Sequence, residues 1–219
     1  MKNLIFTTTL LLVLNCYAGA QQKPINQALA DSLAQWTILD QTAAGPRQGK
    51  TKDMSATEKK RYSDSVFALN GKRLKAIFER YGYPGFSLVG KKGSNDFWLM
   101  TQHCDHDVAF QEKVLAAMWA KVRLHDADAK NFAFLTDRVR VNTGRKQLYG
   151  TQVTYNTDSC QAIPKPLEDS LHVNERRKQI GMESLESYLN WMSQAHFEMN
   201  KAVYEKKGIH HAKLVPAND

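Results

Sequence analysis

Cysteine is scarce in this chain, with three in 219 residues, at positions 16, 104 and 160. Only Cys104 and Cys160 would survive removal of the N-terminal leader described below. In an oxidising compartment they have two alternatives, a Cys104–Cys160 disulfide or two buried free thiols. The adjacency of Cys104 to His103 does not make a thiol protease, because a general base must face its nucleophile in space rather than sit beside it in sequence. Beyond the first 20 residues no apolar run is long enough to span a bilayer, so no transmembrane segment is expected in the mature chain. Also absent are the Gly-x-Ser-x-Gly elbow, the phosphate-binding glycine loop ending in Lys-Ser/Thr, the dinucleotide fingerprint and the His-Glu-x-x-His helix. No histidine precedes His103, and there is no internal repeat or low-complexity tract.

What the chain does have begins at its N-terminus. Lys2 is followed by an apolar stretch from Leu4 to Leu14, and Ala18-Gly19-Ala20 gives the small-x-small pattern before Gln21. This reads as a secretory signal peptide over residues 1–20, which places the mature protein in the periplasm or outside the cell. Cys16 offers a minor alternative, acylation of a lipoprotein, but Asn15 stands where a small residue is wanted. The remaining residues, with 42% hydrophobic and 24% charged side chains in the whole chain, suit one globular domain over 21–208 and a flexible tail over 209–219. The net charge of +8 is spread over small groups such as Lys59-Lys60-Arg61 and Arg176-Arg177-Lys178. That pattern reads as solvated helix faces, and with export and no nucleic-acid motif it argues against a nucleic-acid partner.

Hydrophobic periodicity predicts a mainly α fold. Ile25, Leu29, Leu33, Trp36 and Leu39 mark a helix over about 25–43, ended by Gly45-Pro46. A polar, mobile loop over 45–60 follows. Val66, Leu69, Leu74, Ile77, Phe78 and Tyr81 mark a second helix with Gly71 as a weak point. Gly82 to Gly85 is a turn, Val89 to Gly93 a loop, and Ser94 caps a helix running to about His103. Residues 103–107 either continue this helix, with His103, His106 and Asp107 on one face, or break it, in which case Asp105 or Asp107 caps the next helix; an Asp directly before Val108 suits that role. Asp126 or Asp128 caps a further one that stops at Asn142-Thr143-Gly144. Leu148 to Tyr155 and Cys160 to Ile163 form a small β-hairpin closed by Pro164 and Pro166. One long helix then runs from Leu185 to Tyr204.

Three short polar runs stand beside apolar ones, where unpartnered polar groups are costly. These are Gln102 to Asp107, Asp137-Arg138 and Gln147 to Gln152. The expectation is that they converge on one pocket. His103 and Asp105 are its candidate catalytic pair, an imidazole acting as general acid or base with a carboxylate to orient it. Asp40, Gln41, Gln102, Asp137, Arg138, Tyr149 and Gln152 are candidate ligand contacts. Arg138 either pairs with a carboxylate such as Asp105 or Asp40, or holds an anionic ligand. His106-Asp107 is similar to the metal-binding pair of helical phosphohydrolases, but the required earlier histidine is missing. No metal or cofactor is expected.

Asp40-Gln41 with Arg47, Trp98 to Asp105, Gln111, Leu135 to Val139, Gln147 to Gln152, and Arg177 with Gly181-Met182 together resemble a bacterial domain family of unknown function. Its marks are Gln-His-x-Asp, Asp-Arg and Gln-x-Tyr-Gly-Thr-Gln. The resemblance implies a bacterial, often exported, largely helical domain and supplies no activity. Two readings of function stand. One is a binding or structural module of the envelope with a polar pocket at His103 and Asp105, taking a small polar or envelope ligand. The other is a hydrolase-like enzyme acting on an envelope ester, amide or glycan.

Overall fold

The computed structural model describes residues 25–216. The expected signal peptide and Cys16 lie outside the described residues. Helix α1 (Gln27–Ala44) starts where the Asn26 side chain accepts the Leu29 N–H at 3.1 Å, and it stops at Gly45, whose N–H returns to the Gln41 carbonyl. A 3-10 turn (Gly49–Thr51) follows. Helix α2 (Ala56–Tyr81) then begins with a capping box, in which Ser55 and Glu58 each accept the other's backbone N–H. The capping box shortens the expected 45–60 loop to end at Ser55.

Helix α3 (Phe86–Gln102) corrects the sequence reading. The expected loop over Val89 to Gly93 reduces to one residue, Gly90, whose φ of 73° kinks an otherwise continuous helix. A single glycine absorbs the bend for which a whole loop was expected. Ser94 therefore sits inside the helix, where its buried hydroxyl donates to the Tyr83 hydroxyl at 3.1 Å instead of capping. Helix α4 (Val108–Val122) is capped by Asp107, and α5 (Ala129–Asn142) by Asp128.

The hairpin is shorter than expected. Strands β1 (Val153–Asn156) and β2 (Gln161–Pro164) pair antiparallel, with Val153 opposite Pro164 and Asn156 opposite Gln161. Residues 148–152 are loop rather than strand. Helix α6 (Val173–Gln179) was not foreseen. The predicted terminal helix is two, α7 (Leu185–Met199) and α8 (Lys201–Lys206), separated at Asn200. Residues 209–216, expected as a flexible tail, are tied back. Lys213 N–H donates to the Ser159 carbonyl, and Val215 exchanges two hydrogen bonds with the Asn190 side chain.

The chain is thus a mainly α single domain with one small hairpin. The larger core cluster lies among α1 to α5, centred on Leu33, Leu74, Phe97, Met100, Val114 and Leu135. A second cluster joins the hairpin to α6 and α7 through Ala162, Val173, Leu185, Tyr188 and Leu189. Phe134 stands edge-on to both Trp98 and Tyr188, so one ring on α5 links the two clusters. Cys104 belongs to the first cluster, and Cys160 to a third with Phe197 and Tyr204. Both are buried free thiols, the second of the two alternatives the sequence leaves open.

Candidate functional site

The α3–α4 junction makes the site. Helix α3 ends because its last turn closes at His103, and α4 can begin only once Asp107 has capped it, accepting the Phe110 N–H at 3.0 Å. The residues between are held out of regular helix, with their side chains turned towards α1, α2 and α5.

The imidazole of His103 does not pair with Asp105, its expected partner. Its Nδ1 meets Asp40 Oδ2 of α1 at 2.6 Å, and its ring stacks on Phe67 of α2 with centroids 4.7 Å apart. Asp40 is fully buried, at 0% exposure. Asn70 Nδ2 donates to its Oδ1 at 3.3 Å, and Gln41 Nε2 donates to its Oδ2 at 3.1 Å. The carboxylate can only accept here, so Nδ1 carries the hydrogen of this contact, and in the neutral ring the lone pair then lies on Nε2. No protein partner of Nε2 exists among the described residues. The His103 side chain is 18% exposed and lines an open cavity of about 350 Å³. Asp64, Phe67, Ala68, Asp105, His106 and Arg138 line the same cavity.

Asp105 is held by a different set of partners. Arg138 of α5 forks onto it, with Nε donating to Oδ1 at 2.8 Å and Nη2 to Oδ2 at 2.5 Å. Asn142 Nδ2 and Gln111 Nε2 also donate to Oδ1, at 2.8 and 3.2 Å. Partial burial would push this carboxyl up, but the hydrogen bonds and charge of Arg138, then the Gln111 bond, outweigh it and hold the group below the usual carboxylate range. Arg138 thus takes the carboxylate-pairing alternative, with Asp105 rather than Asp40. Cys104 faces inward, and burial, followed by Asp40, Asp107 and Asp105, pushes its thiol up to about 12. It is no nucleophile at neutral pH.

The third polar run does not reach this cavity. Asp137 and Arg138 are consecutive on α5 and point to different places. Asp137, fully buried, accepts the N–H groups of Leu148, Tyr149 and Thr151 and the Thr151 hydroxyl, at 2.7 to 3.2 Å. Gln147 closes the same loop, receiving the Gln152 N–H and donating to the Gln152 and Lys165 carbonyls. Buried Arg177 of α6 donates to the Tyr149 carbonyl at 2.6 Å, and the Tyr188 hydroxyl donates to the Thr151 carbonyl at 2.9 Å. Tyr149, Gln152 and Asp137 therefore build a loop around a carboxylate and do not line the cavity at His103. Gln102 contributes its backbone carbonyl to Gln111 at 3.5 Å.

Asn70, Asn142 and Phe67 were missed as site residues. Asn70 carried a signal, since it falls four residues after Val66 and four before Leu74, on the apolar face of α2. Among the described residues no three His, Cys, Asp or Glu side chains are arranged to hold a metal ion, and no helix is long and apolar enough to cross a membrane.

No curated protein and no solved structure matches the chain. A family model, described as Family of unknown function (DUF6624), matches residues 28–200, and the chain belongs to that family.

Proposed function

We propose that this member of the DUF6624 family is an exported helical module that binds a small polar ligand in the cleft at His103, and that Nε2 of the Asp40-held imidazole exchanges a proton with that ligand. One observation carries the reading. Fully buried Asp40 holds Nδ1 at 2.6 Å, while Nε2 has no protein partner among the described residues and the His103 side chain lines an open cavity. A histidine serving only the core would have both nitrogens paired or its ring sealed. Export rests on Lys2, the apolar stretch to Leu14 and Ala18-Gly19-Ala20. The experiment is a thermal-shift screen of small polar compounds against the mature protein and His103→Gln. Compounds that raise the melting temperature of the mature protein should leave the variant unmoved. Equal shifts in both would contradict the reading.

The same dyad supports a second reading, a hydrolase acting on an envelope ester, amide or glycan. With Cys104 held as a thiol, water is the nucleophile. Nε2 takes a proton from water as its oxygen bonds to the electrophilic carbon. The imidazolium, stabilised by Asp40, then returns the proton to the departing oxygen or nitrogen. Turnover lost in both His103→Gln and Asp40→Asn would favour this reading over binding alone.

A further inference from the structure

The Asp105–Arg138 pair in the cleft lining narrows the ligand class, on the premise that His103 is the binding centre proposed above. Asp105 Oδ1 already accepts three hydrogen bonds, from Arg138, Gln111 and Asn142, and has no capacity left. Its Oδ2 accepts only Arg138 Nη2 and keeps a free lone pair. Arg138 uses Nε and Nη2 on Asp105, which leaves both hydrogens of Nη1 and one of Nη2 unspent. The cleft lining therefore carries an acceptor and a donor side by side on one planar pair and, in the neutral ring of His103, a second acceptor in Nε2.

The lining carries charge of both signs, Asp64 and Asp105 against Arg138, beside the imidazoles of His103 and His106. Asp105 is locked as the anion by four donors, with buried Asp40 behind His103, so a carboxylate or phosphate entering the cleft meets fixed negative charge. A cation meets the Arg138 guanidinium instead. A neutral group that both donates and accepts at adjacent atoms fits both.

We infer that the ligand is a neutral polyol presenting vicinal hydroxyls, that is, a saccharide. One hydroxyl donates to Asp105 Oδ2, its neighbour accepts from Arg138, and a third donates to His103 Nε2. The cavity of about 350 Å³ is at the lower end of the size of small-molecule sites.

The test is NMR of protein labelled with ¹⁵N in histidine and arginine, titrated separately with cellobiose, the N-acetylglucosamine disaccharide, acetate, inorganic phosphate and ethanolamine. A saturable shift of the His103 Nε2 and Arg138 Nε signals with at least one disaccharide, and none with the three ions, is the expected result. Arg138→Lys, which keeps the charge and loses the fork, and Asp105→Asn should each weaken that binding by about tenfold or more. The inference is overturned if an ion shifts these signals and the sugars do not, if no probe shifts them, or if both variants bind sugar as the parent does. The proposed function fails separately, and visibly, if Nε2 carries the proton in the unliganded protein.

Discussion

Asp40 and His103, 63 positions apart, are joined by a 2.6 Å contact that bridges the middle of the helical bundle. The carboxylate comes from the last turns of α1 and the imidazole from the end of α3, so the pair exists only when these two helices are packed. Asp40→Asn keeps the shape but turns an obligate acceptor into a group that can present N–H to the ring. The variant should fold, lose about 1–3 kcal/mol from the weakened buried hydrogen bond, and shift the neutral imidazole towards the other tautomer. Urea unfolding and histidine ¹⁵N shifts check both parts.

The Arg138–Asp105 fork makes a pH-dependent contribution. Asp105 has a folded pKa below its unfolded value, so the pair stabilises above the unfolded carboxyl pKa of about 4 and is lost as pH falls through the lower folded value. The Asp105 side chain is 42% exposed, and solvent screening keeps the contribution to about 1 kcal/mol. Arg138→Gln should therefore be less stable than the parent at pH 7, with the gap closing as pH is lowered below about 4. A gap that widens in acid would contradict this.

Asp137 should behave as a purely structural residue. Asp137→Ala strands three backbone N–H groups, one buried and two partly buried, and the Thr151 hydroxyl, at a cost of about 3 kcal/mol. The loss should appear in urea unfolding, while the His103 tautomer of the protein that remains folded stays unchanged.

Much of the fold was readable because helices announce themselves locally. The Asp107 and Asp128 caps and the stop at Asn142 to Gly144 come from side-chain chemistry within a few residues of each helix end. The failures were of longer range. Gly150 falls inside the Leu148 to Tyr155 stretch that reads as a strand. It has φ 74° because the loop must wind around Asp137, a carboxylate on another element. The site divided in the same way. His103, Asp105 and Arg138 do line one cavity, but the orienting carboxylate is Asp40 rather than Asp105. No spacing in the sequence says which of two aspartates will lie 2.6 Å from an imidazole.

Gly150→Ala tests the loop. A Cβ there would come 2.6 Å from Leu185 Cδ1, which a flexible leucine can relieve, whereas the positive φ cannot be relieved without rewinding the loop. The expected cost is about 1–2 kcal/mol, measured by thermal or urea unfolding.

Both cysteines should resist alkylation in the native protein. Cys104 and Cys160 are buried, and burial pushes Cys104 up to about 12. Iodoacetamide should label Cys104 and Cys160 in urea and neither in buffer, by peptide mass. If both stay unlabelled in urea until a reductant is added, the pair is bonded.

The most direct test of the whole account is the long-range ¹H–¹⁵N correlation spectrum of the histidine rings near neutral pH. His103 should show a protonated Nδ1 and a bare Nε2. The opposite tautomer, with its proton on Nε2, would remove the proton-accepting group from the cleft.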